Sequence, residues 1–561
     1  MIMRKKKVCV LLSMIMTVMS LSGCGNSSGG DGKAAAPSKD SYTKSENSGA
    51  ADVMIDSSAQ AMEETTNSEG GPYTNPYYDV SYVEEIAPAD WNTEEYSAVK
   101  EQGFQSVANS PLSTFSADVD TASYSNIRRM IEGGCTMDEI PAGAVRIEEM
   151  LNYFSYDYDL PKKNEPFGVT TVIGDCPWNE EAKLLQIGLK TQAIDFSEAP
   201  DSNLVFLLDV SGSMYTDDKL PLLQKSFAML VEELGEKDTV SVVTYAGSDE
   251  VILQGESGDS KGKIINAIGG LEAGGSTNGS AGIETAYALA ERYFIEGGNN
   301  RVILATDGDL NVGVSSESAL DELITKKKES GVYLSVLGFG MGNIKDNKME
   351  VLADHGNGNY AYIDSVSEAK KVLVEQMGAT LVTVAKDVKL QVEFNPAYIK
   401  GYRLLGYENR ALATEDFDDD TKDAGEIGAG HMVTALYEII PVDSEQEIPE
   451  TDLKYQSDKK DTGVKNGEWL NLKIRYKEPD EDESLLMEYP VTEDDYTSEP
   501  SEDFYFAAAV AEFGLMLRDS EYKGDASFEN VRALLKKVDT DEDDYKDEFV
   551  YLVKRLQKAT L

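Results

Sequence analysis

The pentapeptide Asp209-Val210-Ser211-Gly212-Ser213 sets one carboxylate and two hydroxyls at alternate positions where the apolar run 204–210 ends. A second carboxylate, Asp307, stands in Thr306-Asp307-Gly308-Asp309 at the end of another apolar run, 301–306. Between them lies a glycine-rich, hydroxyl-bearing turn, Gly274-Gly275-Ser276-Thr277-Asn278. Oxygen donors of these kinds suit a hard divalent cation, and Mg²⁺ takes them in near-octahedral geometry at about 2.0–2.1 Å. Two aspartates and a few hydroxyls leave such an ion short of ligands and electrophilic, so a carboxylate from a partner can complete its sphere. Ser211 and Ser213 could instead merely cap a helix, but that role does not require the distant carboxylate and hydroxyl turn.

Other chemistry is thinly supplied. The chain has two histidines, His355 and His431, far apart, so no HExxH zinc site can be written and a Ser-His-Asp triad would have to use one of the two. There is no GxxxxGK[ST] phosphate loop. Asp118-Val119-Asp120-Thr121 has the look of a phosphotransferase motif, but no apolar strand precedes it, and a structural turn is the better reading. Asp539, Asp541, Asp543 and Asp547 are spaced like a calcium loop, yet Asp544 replaces its glycine and Val550 its bidentate glutamate, so an acidic solvated loop is expected. A formal net charge of −50 repels phosphate backbones, which argues against nucleic acid as a partner. No enzyme activity is expected.

The candidate ligands need a scaffold that presents strand ends. Continuous apolar runs at 204–210, 239–245, 301–306 and 332–338, with a shorter one at 360–363, read as buried parallel strands. Helical spacing fills the intervals at 219–234, 261–271, 281–294, 320–330 and 366–379, and 250–253 reads as an antiparallel edge. The expected fold is α/β, a doubly wound, mostly parallel sheet with helices on both faces. Ligands of such sheets sit beyond strand C-termini where strand order reverses, so the strands at 204–210 and 301–306 should be neighbours. Before this region, helical patterns at 121–133 and 145–154 precede strand patterns at 167–173 and 183–192. After it, strand patterns at 388–394, 432–440 and 469–476 precede an apolar helix over 504–517, with Ser501 as its cap. The β-rich flanks are expected to form one sheet system into which the α/β domain is inserted, because domain termini lie close together.

The N-terminus carries Arg4, Lys5, Lys6 and Lys7, then an apolar stretch over 8–21 that is too short for a comfortable membrane span, as an export signal does. Leu21-Ser22-Gly23-Cys24 resembles the bacterial lipobox, which implies cleavage before Cys24 and lipidation of its thiol. Two or three acyl chains anchor stably, at about 0.8 kcal/mol per buried methylene. The expected domains are a signal peptide at 1–23, a lipidated cysteine and Gly/Ser-rich tether at 24–90, an α+β module at 91–198, the α/β domain at 199–380 and a β-rich plus helical domain at 381–561. Localisation should be extracytoplasmic, on the envelope membrane. Cys135 and Cys176 remain, and a disulfide and two free thiols are both open readings.

Taken together, the DxSxS pentapeptide, the Thr277 turn and Asp307 resemble the von Willebrand factor type A (VWA) domain and its metal-ion-dependent adhesion site. The resemblance implies a Rossmann-like fold, with Asp209, Ser211, Ser213, Thr277 and Asp307 holding Mg²⁺ (or Mn²⁺ or Ca²⁺). It also implies that the threonine joins the ion directly once a ligand is engaged. Outside this domain, the stretch from Ser113 to Tyr124, that from Val145 to Phe154, Cys176-Pro177-Trp178-Asn179, and that from Gly428 to Glu438 are similar to bacterial YfbK-like VWA lipoproteins. The implied function is adhesion to a protein offering a carboxylate to the metal. The alternative is a scaffold subunit of an envelope complex whose metal site is structural or vestigial.

Overall fold

A computed structural model describes residues 92–194, 199–275, 280–308, 322, 324–327, 330–449, 463–479 and 481–560. The export segment, Cys24, the tether, Thr277 and part of the helix expected at 320–330 lie outside them. The chain first lays down two short strands, β1 (Gln105–Ser106) and β2 (Leu112–Ser116), then helices α1 (Ala122–Glu132) and α2 (Ile147–Asn152), then the hairpin β3 (Phe167–Asp175) and β4 (Lys183–Thr191).

The α/β domain follows: β5 (Ser202–Asp209), α3 (Leu220–Glu233), β6 (Thr239–Tyr245), β7 (Asp249–Ser257), α4 (Lys261–Gly269), α5 (Ser280–Arg292), β8 (Asn299–Thr306), β9 (Tyr333–Phe339), α6 (Asp346–His355) and β10 (Tyr360–Ile363). Its sheet has the order β10-β9-β8-β5-β6-β7, parallel except for the antiparallel edge β7. Every residue of β5 and β8 is buried, because both faces of a central parallel strand are covered. Alternation divides β5 between two cores. Leu204, Phe206 and Leu208 pack with Leu223, Phe227 and Leu230 of α3, while Val205 and Leu207 pack with Ile283, Ala286 and Tyr287 of α5.

The single helix expected at 366–379 is instead three short pieces: α7 (Val366–Lys370), a π-helical turn (Lys371–Glu375) and α8 (Met377–Leu381). The wider turn accompanies a buried cation contact, with Lys371 Nζ 3.1 Å from the centroid of the Tyr153 ring and 4.2 Å from that of Tyr545.

Seven elements of the C-terminal part close the flanks: β11 (Thr383–Phe394), β12 (Ile399–Leu405), β13 (Gly425–Gly428), β14 (Met432–Pro441), β15 (Glu468–Lys477), β16 (Leu485–Thr492) and helix α9 (Glu502–Leu517). Helices α10 (Phe528–Leu535) and α11 (Asp544–Thr560) complete the chain. One sheet runs β1-β12-β14-β4-β3 and another β13-β11-β15-β16, with β2 on β11. The two share a core in which Leu185, Ile187 and Leu189 of β4 and Val433 and Tyr437 of β14 meet Leu390 and Val392 of β11 and Leu472 of β15. The opposite face of the first sheet, with Leu184 and Leu436, is covered by α9. That helix is buried at every position from Phe504 to Leu517 except Tyr505, and the Ser501 hydroxyl caps it by accepting from Phe504 N–H at 3.3 Å.

Strands from before and after the α/β domain therefore pair directly, β4 with β14, from Lys183↔Ile439 to Lys190↔Met432. The chain leaves and re-enters the sandwich at one point. Thr191 donates its hydroxyl to the Gly428 carbonyl at 2.7 Å, and Thr383, in β11, stands in register with the same Gly428. A fragment of residues 200–380 should accordingly give a cooperative thermal transition by circular dichroism. Residues 381–561 alone should not, since β14 would lose its β4 neighbour; a sharp melt of that fragment would contradict the shared sheet.

Of the two readings open for the cysteines, the structure carries the second: Cys135 and Cys176 are both free thiols. Each is fixed by its own turn, Cys135 N–H on Met130 O at 3.0 Å and Cys176 N–H on Ala182 O at 3.4 Å. Burial pushes the Cys176 thiol well above its ordinary range, so it stays protonated and inert.

Candidate metal centre

Asp209 closes β5 and Asp307 follows the last residue of β8, its parallel neighbour, so adjacent strands deliver both carboxylates to one edge of the sheet. Strands β6 and β8 flank β5 on opposite sides, which makes this edge the point where strand order reverses. The loop after β5 folds back on its own aspartate, with Ser211 N–H donating to Asp209 Oδ1 at 2.9 Å. Ser211 Oγ and Ser213 Oγ are then 3.0 Å apart. The turn expected to bring the threonine is stapled alongside, with Gly274 N–H on Val210 O at 2.8 Å and Gly212 N–H on Gly275 O at 3.2 Å. Four of the five expected ligand residues are thus described, on two neighbouring strand ends.

Asp209 and Asp307 are both fully buried. Asp209 Oδ2 accepts from Thr306 Oγ1 at 3.1 Å and from the Tyr245 hydroxyl at 3.3 Å, leaving it with neutral partners. Burial, and then the nearby Asp307, push its carboxyl up to about 6. Asp307 behaves oppositely. Burial pushes it up, but Lys219 together with bonds from Asn343 and Ser213 outweighs this and holds it below the ordinary carboxylate value. Lys219 Nζ donates to Asp307 Oδ2 at 3.0 Å and to Asn343 Oδ1 at 2.9 Å. The lysine stem runs beneath Gly340, where φ is +75° and a Cβ would stand 2.2 Å from Lys219 Cγ. Lys219 and Asn343 escape sequence reasoning, since neither lies in the motif and a single lysine ahead of a helix carries no signal. The donor set fits a hard cation: buried carboxylates and paired hydroxyls, one carboxylate lacking a cationic partner. Asp209, Ser211, Ser213 and Asp307 are the described residues that could hold it.

The remaining candidates have structural roles. Asp118 accepts from Asp120 N–H at 2.9 Å, and both carboxylates bind Arg410 at 3.2 Å, a turn clamped by a mostly covered cation. His431 Nδ1 accepts from Gly428 N–H at 3.2 Å, and burial lowers its pKa to about 4, which keeps it neutral. Asp387, Asp423 and Glu426 bring carboxylate oxygens within 4.8 Å of one another, and Lys477 already supplies Asp387 with a cation at 2.8 Å.

Residues 203–376 match the profile of the von Willebrand factor type A domain, and residues 90–186 one described as von Willebrand factor. Residues 379–559 match the profile "Uncharacterized protein YfbK, C-terminal". The protein named "Uncharacterized protein YfbK" from Escherichia coli (strain K12) is 43% identical over 481 residues, covering 84% of this chain and 82% of its own. The chain belongs to the YfbK family. Within it, the strand ends bearing Asp209 and Asp307 fall inside the VWA match, and the sandwich falls in the two flanking matches except for the end of β4, which runs on to Thr191. Human "Inter-alpha-trypsin inhibitor heavy chain H3" is 27% identical over 174 residues, 29% of this chain and 19% of that protein. Among solved structures, "von Willebrand factor type A from Catenulispora acidiphila" is 16% identical, with a TM-score of 0.37 over 64% of this chain and 80% of its own.

Proposed function

We propose that this YfbK-family protein is an envelope lipoprotein that captures a protein ligand through a divalent cation held by Asp209, Ser211, Ser213, Thr277 and Asp307. The observation that carries this reading is the meeting of two buried carboxylates and a hydroxyl pair at the strand-order reversal, with Asp209 bonded only to neutral groups. The VWA match supports an interaction role rather than catalysis. Mg²⁺ supplies an electrophilic coordination position, and a ligand carboxylate is the group that fills it.

In a strongly acidic protein, long-range attraction to an acidic partner does not drive capture. Recognition depends on one short contact, so affinity should collapse with chelator and change little with salt. Pull-down from envelope extract with and without EDTA checks this. In a recovered pair, Thr277→Ala should weaken partner binding more than metal binding; equal losses, or binding that survives chelation, would place the partner elsewhere. The membrane anchor is part of the same proposal. Cys24→Ser should abolish palmitate labelling and release the protein, and undiminished labelling would refute it.

A further inference from the structure

Asp307 has a cation from the chain itself. Lys219 stands at the start of α3, where its carbonyl accepts from Leu223 N–H at 2.8 Å and its own N–H donates to Thr216 O at 3.0 Å. The side chain turns inward and is buried, and its ammonium ends between two acceptors, Asp307 Oδ2 at 3.0 Å and Asn343 Oδ1 at 2.9 Å. Gly340 packs against the stem. The loop that carries Asn343 is held in turn: Thr93 N–H donates to Gly342 O at 2.7 Å, and Gly342 N–H to Glu94 Oε1 at 2.9 Å, a carboxylate paired with Arg129 at 2.9 Å. The ammonium is therefore a charge fixed in place.

Asp209 and Asp307 bring two buried carboxylates to this edge, and Lys219 offsets the charge of one of them. That offset favours the metal-free state, because a buried carboxylate without a cation is costly to keep. It also opposes the metal-bound state, because the ammonium and a divalent ion repel, and an enclosed site screens the repulsion weakly. Both effects lower affinity for the ion. A lysine that merely propped Asp307 in place would act with the opposite sign, since its removal would loosen the ligand and weaken metal binding.

We infer that Lys219 is a built-in restraint on cation loading at the Asp209–Asp307 centre. It acts through Asp307, as a positioning residue, and the role presupposes the proposed reading of these aspartates as metal ligands. With the lysine in place, a divalent ion leaves the two carboxylates and the ammonium with a net positive charge, which an incoming carboxylate neutralises. Without it, the loaded pair of aspartates is already neutral. The lysine thus lowers affinity for the ion and keeps the bound ion in need of a ligand, so that loading follows the ambient cation concentration.

The test is calorimetric titration of the full-length protein with MnCl₂ and MgCl₂ at pH 8, beside Lys219→Met, Lys219→Gln, Lys219→Arg and Asp209→Ala. The two neutral lysine variants should bind Mn²⁺ at least about tenfold more tightly than the unsubstituted protein, while Lys219→Arg, which keeps the charge, should stay within about threefold. In EDTA the neutral variants should melt lower than the unsubstituted protein, and Mn²⁺ should raise their Tm by more. Lys219→Gln keeps an N–H donor on the side chain and stands in if Lys219→Met fails to fold. Unchanged or weakened binding in the neutral variants, or failure of both to fold at any Mn²⁺ concentration, would overturn the restraint and make the lysine a prop; loss of binding in Asp209→Ala would still uphold the metal centre. Binding seen only in the neutral variants would uphold the restraint and show that the ammonium keeps the native site closed to the ion. No binding in any of these proteins, or binding that Asp209→Ala leaves intact, would overturn both.

Discussion

Asp209→Ala is expected to eliminate Mg²⁺ and Mn²⁺ binding in isothermal titration. At a cation concentration a hundredfold above Kd, binding stabilises the native state by about 2.7 kcal/mol, and the variant should lose all of that increment. The side chain is fully buried among neutral partners beside Asp307. The same residue sets a pH dependence. Its folded-state pKa of about 6 lies above the ordinary value of about 3.9. In the metal-free protein this group therefore favours the fold below about pH 4, and that contribution is lost as pH rises through 6. A bound cation reverses the balance, so metal affinity should fall as pH drops below about 6. Unchanged titration curves for Asp209→Ala, or affinity flat between pH 7.5 and 5, would remove the metal assignment.

Arg410→Met should destabilise the whole fold by roughly 3–5 kcal/mol in urea unfolding at pH 8, the cost of leaving buried charge without its partner. One guanidinium serves Asp118 and Asp120 at 3.2 Å and Asp354 at 2.7 Å, with Glu350 at 4.0 Å. Burial, and next the neighbouring Asp118, already push Asp120 well above its ordinary range with Arg410 in place. Without the arginine these carboxylates must take up protons to remain inside, so the deficit should shrink on acidification. A loss below about 1 kcal/mol would mean that water reaches the cluster.

The VWA domain was largely legible because its signals are local. Runs such as 239–245 and 360–363 coincide with β6 and β10, buried strands in which valines and tyrosines dominate and the hydroxyls of β6, on Thr239, Ser241 and Thr244, are small enough to be enclosed. The placement of Asp209 and Asp307 at neighbouring strand ends was likewise readable, because the motif couples residue type to a strand end. What escaped reading was polarity turned inward. β12 contains Arg403, which would mark an exposed segment, yet it is buried against Glu438 and the Tyr522 ring. β16 is an edge strand whose buried face is only Met487, Tyr489 and Val491, while the apolar Leu485 and Leu486 at its start are exposed, so its apolar residues do not mark the face it buries. α6 begins with Asp346 and carries Glu350, both buried by partners from other elements, Arg146 among them. Asp118 and Asp120 were read as a turn, but Arg410, far along the chain, could not be assigned to them. Arg403 and Glu438 stand 35 positions apart on neighbouring strands, and the pairs of Arg146 with Asp346 and of Arg410 with Asp118 join residues two hundred or more positions apart, so no local window of sequence holds both partners.

The shared doorway at Gly428 bears on the order of assembly. Pairing β4 with β14 in an unfolded chain means closing a loop that spans the entire VWA domain, from Lys190 to Met432, an entropy cost of about 5 kcal/mol for a loop of roughly 240 residues. A VWA domain that has already folded holds its ends where Thr191 and Thr383 flank the same glycine, so most of that cost has been met by its own core. The sandwich then has only short gaps to close. The β3–β4 hairpin would wait with the β14-facing edge of β4 unpaired until synthesis passes β14. During that interval this protein is most open to aggregation, and a slow-folding VWA variant would be cleared by proteolysis at its N-terminal hairpin before any defect in binding could be seen.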